Sequence, residues 1–296
     1  MITKTPIQRR LIVTADDFGQ AIPINEAVET AHRDGILSTA SLMVTAPACD
    51  DAVERARRLP SLKVGLHLNL VQGYPALPPE QIPALVNNDG HFLNDPVKVG
   101  VRIFFNASAR RQAYAETRAQ FERFRATGLK LDHVDGHHHF HQHPSLVSHL
   151  IQLAPEFSIK AVRLPIEPPG PSCRAQENKH SARYLGWIFS AARLLWMRAR
   201  LRKAGIACND HIFGLHETGM MTFERVAAFI NHLPPGVSEI YAHPATRSCP
   251  QPNGLPEHYL CVQEFQALAS HNLRELLETI GVEIISFSDL QLPEAV

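Results

Sequence analysis

The chain has 296 residues, 45% of them hydrophobic and 20% charged, which suits a globular protein of one large domain or two small ones. Lys+Arg and Asp+Glu balance at 29 each, so net charge gives no reason to expect nucleic acid as a partner. The five cysteines are odd in number, scattered and without a CxxC pair, which argues against a disulfide framework or a cysteine zinc site and makes a reducing cytoplasm the expected compartment.

The N-terminal stretch carries basic residues and only a short apolar run, and reads as the approach to a first strand, LIVTA (11–15), rather than a signal peptide. Pro23 opens a helix with Ile24, Ala27, Val28 and Ala31 on one face, and Gly35 stops it. SLMVT (41–45) is the next strand, Ala52 to Leu59 the next helix, and KVGLHLNL (63–70) a third strand. Residues 71–109 break the rhythm: rich in Pro, Gly and Asn, they predict a loop insertion with a little helix. A helix over 110–127, the strand LKLDHVD, a helix after Pro144 and the strand KAVRLP (160–165) follow. A Pro-rich loop (165–172) leads to a helix over 183–203, then the strand HIFGL (211–215) and a helix from Phe223 to His232. SEIYAHP (238–244), a helix around 262–279 and VEIISF (282–287) complete the chain. About eight strands alternating with helices imply a parallel sheet. The count favours an α/β fold, a TIM-like (β/α) barrel, closed or distorted, with loop insertions, over an open sheet. One domain over 1–296 is expected. No apolar run is long enough to span a bilayer.

In such a barrel, chemistry gathers where strands end. The predicted strand ends carry Asp16-Asp17, His67, Asp135 with the histidines after it, Arg163, and His243-Pro244. Adjacent aspartates entering a buried rim repel unless a cation or proton separates their roles, so one as metal ligand and the other as general base is a consistent division. The same pair could equally be a helix cap and a turn. His67 lies in an otherwise apolar strand, where a histidine is more often a hydrogen-bonded core residue; the other rim groups favour a ligand. Between His133 and His143, six histidines fall in eleven residues. A hydrolytic metal site needs about three protein ligands and an open position, so most of the six do other work. If the stretch stays extended, His137, His139, His141 and His143 share one side and His138 faces the barrel wall. His143, before Pro144, reads as a helix-entry residue.

ADDFG, VGLHLNL, DGHHHFH and EIYAHP, in this order over nearly the whole chain, resemble the YdjC-like carbohydrate deacetylase family. Within it, ASLMVTAPA (40–48), RATGLKLDHV (125–134), NDHIFGLHETGMMT (209–222) and EIYAHPATR (239–247) most resemble the hopanoid-biosynthesis-associated deacetylases. The resemblance implies one divalent metal ion, Zn²⁺ or Mg²⁺ with Ni²⁺ admissible, on Asp17, His67 and His137. It implies Asp16 as general base and His243 as general acid. Asp135 is then expected to orient a ligand imidazole, with His139, His141 and Arg163 supporting the ligands or touching substrate. The implied reaction removes acetate from an N-acetylglucosamine on a bacteriohopanepolyol such as bacteriohopanetetrol. The triple histidine is nearer the chitooligosaccharide branch, which keeps deacetylation of soluble chitooligosaccharides as an alternative; a non-catalytic sugar-binding barrel is the third reading. Residues 184–205, apolar at helical spacing (Leu185, Ile188, Phe189, Ala192, Leu195, Trp196) and rich in arginine, fit either a barrel helix or an interfacial element. A cytoplasmic protein, peripheral at the inner membrane through that helix, is the matching localisation. A homodimer is allowed for.

Overall fold

The computed structural model describes residues 9–176, 180–249 and 254–292. In chain order the elements are β1 Arg9–Phe18, α1 Ile22–Asp34, β2 Thr39–Leu42, α2 Cys49–Arg58, β3 Lys63–Leu68, α3 Pro96–Phe105, α4 Ala107–Ala126, β4 Leu131–Gly136 and α5 Pro144–Phe157. Then come α6 Pro169–Gln176, α7 His180–Lys203, β5 His211–Phe213, α8 Phe223–Asn231, β6 Gly236–Ala242, α9 Cys261–Leu268, α10 His271–Ile280 and β7 Glu283–Ile285.

The strands form one parallel sheet in the order β4-β3-β2-β1-β6-β5. β6 pairs with β1 along residues 9–15, so β7, which pairs with residues 10–12, takes the other edge of β1 below the start of β2. The expected strand at 160–165 is reduced to isolated bridges, Val134↔Val162 and Ala161↔Ala207. Pro165 and the prolines after it cannot donate to a ladder. The Asn209 side chain substitutes, accepting from Leu164 N at 2.7 Å and donating to Leu164 O at 3.0 Å. These bonds link β4 round to the chain entering β5. The result is a distorted α/β barrel with seven strands among the described residues, where about eight were expected. The little helix expected in the 71–109 insertion is the ten-residue α3. Two further expectations change: α6 begins inside the Pro-rich loop, and the helix expected over 262–279 breaks at Ala269-Ser270 into α9 and α10.

Period-two alternation sorts the strand residues. Leu11, Val13, Ala15, Ala40, Leu42, Val64, Leu66, Val134 and Ile240 point outward and pack under the helices in the main core. The inward set is layered. Ile12, Val237, Ile285 and Phe287 plug the barrel's lower end. Above them lie Thr14, Thr39, His133 and Glu239, and above those Asp16, Ser41, His67, Asp135 and Tyr241, all buried. His133 stacks on Phe287 (centroids 4.2 Å apart) and crosses directly over Gly65. A Cβ there would lie 2.3 Å from the imidazole, so this inward position of β3 must be glycine.

On α7 the buried stripe is Ala191, Leu194, Met197 and Leu201, while Leu195 and Trp196 are exposed. Of the apolar face expected from spacing, the described members therefore point away from the barrel; the side chains of Leu185, Ile188 and Phe189 lie outside the described residues. No helix among the described residues is long and apolar enough to cross a membrane.

Candidate metal centre and active site

The upper strand ends close around a cavity of about 220 Å³ lined by Asp16, Asp17, His67, His137, His139, Tyr241 and His243, among others. The first three arrive by distinct routes. The β1–β2 register shifts between Ala15 and Phe18, and Asp17 adopts φ +60°. That left-handed residue, uncommon outside glycine, turns its side chain to the side Asp16 already faces. The bend is locked by Asn25 of α1, whose Oδ1 accepts from Gly19 N at 2.8 Å. His67 of β3 is in register with Asp135 of β4, so both point into the barrel, and the imidazole Nδ1 meets Asp135 Oδ1 at 2.8 Å.

His137 opens a 3₁₀ turn, His137–Gln142, in which His138 and His139 have φ near +50°. The stretch is therefore not extended, and its histidines fan out. His137 Nδ1 lies 3.0 Å from Asp17 Oδ1; His138 stands exposed against Gln72 rather than facing the wall. His139 Nε2 meets Tyr241 OH at 3.2 Å, and His141 Nε2 meets Arg163 O at 3.0 Å behind the cavity wall. His143 caps α5, accepting from Ser145 N. Burial pushes His139 well down and His141 down to about 4, so both are neutral imidazoles.

Arg163 lies fully buried under the floor. Its guanidinium grips both Asp16 oxygens at 2.8 Å, Asp135 at 2.7 Å and Glu239 at 2.7 Å. One cation thus faces three carboxylates. Burial works against the Arg163 charge, and those carboxylates outweigh it and hold its pKa well above the usual range. Burial would raise Asp135, yet Arg163 and His67 hold it well below the usual carboxylate range. Asp17 is likewise held low by His137 and His67 against the effect of burial. Burial disfavours a charged His67, but Asp135, Asp16 and Asp17 hold its pKa well above the ordinary value. Three carboxylates share one guanidinium beneath the pocket, and a fourth, Asp17, faces His67 and His137, so the site holds more carboxylates than cations.

Those residues also form a cation-ligand set. One atom each of Asp17, His67 and His137 lies within 4.8 Å of the others. His67 Nε2 and His137 Nδ1 are 3.4 and 3.0 Å from Asp17 Oδ1. Ligands held at about 2.0–2.2 Å with tetrahedral angles sit about 3.3–3.5 Å apart, so little movement would admit an ion. Asp135 leaves Nε2 of His67 as its ligating atom and fixes the ring. A second grouping, Asp16, His67 and Asp135, is as compact, but both its carboxylates are occupied by Arg163.

His243 follows β6 with Nε2 at 4.0 Å from Asp17 Oδ2 and Nδ1 unpaired. Its backbone N donates to Glu264 at 2.6 Å, and the same buried carboxylate accepts from Met221 N at 2.8 Å. Neither Glu264 nor Tyr241, whose OH meets Thr218 at 2.6 Å, is prominent in the sequence. The alternation Glu239, Tyr241, His243 along β6 was the available signal for Tyr241. Glu264, a charge on a helix remote in sequence, offered none.

A family model described as YdjC-like protein matches residues 10–279. A carbohydrate deacetylase of Brevibacillus brevis is 28% identical over 281 residues, covering 95% of this chain and 99% of that protein. A carbohydrate deacetylase of Mus musculus is 31% identical over 309 residues, covering 95% and 94%. A crystal structure from Enterococcus faecalis V583, provisionally described as a cellobiose-phosphate cleavage protein, superposes with a TM-score of 0.74 at 23% identity, over 95% of this chain and 98% of that one.

Proposed function

We propose, because the chain belongs to the YdjC-like protein family, that it is a metal-dependent amide hydrolase that removes the acetyl group from an N-acetylated sugar. The observation that carries the reading is the Asp17/His67/His137 ligand set in a cavity also lined by Asp16 and His243. The relatives named carbohydrate deacetylase support the substrate class.

A divalent ion bound there would lower the pKa of water and polarise the acetyl carbonyl. One carboxylate and two imidazoles suit Zn²⁺ or Ni²⁺, and admit Mg²⁺ less well, since hard Mg²⁺ prefers oxygen ligands. Asp16 is the general base. Arg163 holds both its oxygens in place, and Asp16 takes the proton as water adds to the carbonyl carbon. His243, braced by Glu264 through its backbone, delivers a proton to the sugar nitrogen as the C–N bond breaks, giving acetate and the free amine. Neutral His139 and the Tyr241 hydroxyl line the remaining wall as hydrogen-bonding groups.

For the finer substrate we favour an N-acetylglucosamine carried on a hopanoid polyol. The four stretches of resemblance support it, as does the outward face of α7, where Leu195 and Trp196 stand exposed beside Arg193 and Arg200, with Trp187 and Tyr184 exposed further along. Soluble chitooligosaccharides are the competing substrate. Acetate release from the two substrate classes, beside metal content, tests all of this. Undiminished activity in Asp17→Ala, or in chelator-treated protein, would remove the mechanism.

A further inference from the structure

We propose that a second cavity, walled by the insertion between β3 and α3, is a subsite for an uncharged polyhydroxylated group joined to the acetylated sugar by its glycosidic bond. The inference rests on the deacetylase reading above. The cavity holds about 270 Å³ and shares Gln20, Gln72 and His137 with the catalytic one. Either alone is below the ~300 Å³ at which small-molecule sites begin, and the two joined are inside that range.

The chemistry of the walls sets the ligand class. No Lys, Arg, Asp or Glu lines this cavity; its polar groups are mostly amides and hydroxyls, among them Asn87, Asn94 and Gln72, with the imidazoles of His91 and His137 beside them. A phosphate placed here would find no Lys or Arg, and Asp16 and Asp17 stand across the partition. Neutral hydroxyls suit amides that both donate and accept. The partition itself has an open position. Gln20 Nε2 donates to Gly254 O at 2.8 Å, whereas its Oε1 is buried without a partner. Buried acceptors are rarely left so, and a small turn of the Gln20 side chain would let a sugar hydroxyl bridging the two cavities satisfy this one. Tyr74 offers a broad apolar surface for a carbohydrate face, its ring 37% exposed and set edge-on to His91 at 4.7 Å.

This wall is built rather than loose. Gln72 N donates to Leu93 O at 3.1 Å and Phe92 N to Gly73 O at 3.0 Å, so the insertion's two arms pair beside the cavity. The buried Glu116 accepts from Ala76 N and Leu77 N at 2.7 and 2.9 Å, tying the strip after Tyr74 to α4. A preformed wall binds without an ordering penalty.

Calorimetry on chelator-treated protein tests the subsite apart from turnover. The ligands are N-acetylglucosamine, N,N′-diacetylchitobiose, an N-acetylglucosaminyl ribitol and the 6-phosphorylated disaccharide. The subsite predicts that at least one neutral extended ligand binds about tenfold more tightly than the monosaccharide. Tighter disaccharide assigns the space to a second ring, and tighter ribitol glycoside to an open-chain polyol. Tyr74→Ala, and Tyr74→Leu as a variant that preserves bulk, should abolish that gain while leaving monosaccharide affinity unchanged. Equal affinity for all neutral ligands, no binding of any, equal loss across them in both variants, or tighter binding of the phosphorylated disaccharide would overturn the proposal. Acetate release is read separately: a retained preference with no acetate formed would sink the deacetylase reading and leave a two-subsite sugar-binding barrel.

Discussion

The two cavities share a partition but are built on different principles. The catalytic one is charged and is carried by the ends of β1, β3, β4 and β6, the most tightly paired strands of the barrel. Its neighbour is neutral and is carried largely by the insertion after β3. Groups whose charges must balance to within an ångström sit on the rigid sheet. Groups that only have to match a shape and a pattern of hydroxyls sit on a segment that can vary without disturbing the barrel.

The largest expected effect breaks the charged half alone. Asp17→Ala should remove the bound metal and lower acetate release by about a thousandfold or more, which is the scale on which such groups act. Metal analysis and an acetate assay check it, and sugar affinity in the second cavity should survive. Arg163→Met addresses the floor. It leaves Asp16, Asp135 and Glu239 buried without their cation, and removal of one partner from such a cluster costs about 3–5 kcal/mol. Urea unfolding should show that loss, with no recovery in Arg163→Lys to the full value, because a point charge cannot replace three-way donation.

pH sharpens the same contrast. His67 is raised in the folded protein, so the stability it lends to metal-free protein is full below its unfolded value near 6.5 and is lost as pH climbs through the folded pKa. Asp17 and Asp135 are depressed, so their contribution is present above about 3.8 and is lost as pH falls through their folded values. Metal must displace the His67 proton, so metal affinity should rise with pH by about tenfold per unit until that pKa is passed. Competition with a chelating dye measures it; a flat profile would remove His67 from the ligand set.

Smaller effects test the scaffold. Gly65→Ala would drive a methyl into the His133 ring and should cost about 1–3 kcal/mol, the usual range for overpacking, read as a lowered melting temperature. His143→Ala removes the α5 cap, a bond to Gly100 O and ring contacts with Phe140 and Phe104, so about 1 kcal/mol of stability or somewhat more should go while metal content stays unchanged. Measurable metal loss there would overturn the separation of His143 from the site.

Much of this was legible in the chain. Alternating apolar runs and helical periods announce the parallel barrel, and the chemistry-bearing residues fall at one end of each run. The strand at 160–165 misleads because KAVRLP has strand composition, yet its prolines leave the ladder to an asparagine side chain. The histidine stretch misleads because alternation assumes an extended backbone, and two positive φ values curl it into a turn. On α7 the described part of the apolar spacing, Ala192, Leu195 and Trp196, is exposed, since spacing shows that a stripe exists and not what lies against it.

By itself the sequence determined the barrel's periodicity and the supply of carboxylates and imidazoles at the strand ends. Those are local properties, set by side-chain alternation and composition. Only the tertiary structure decided which imidazole meets Asp17, that Arg163 is shared among three carboxylates, and that an insertion closes a neutral cavity beside a charged one. Each of these depends on distances between residues far apart in the chain, and electrostatic coupling is set by distance and burial, not by sequence separation.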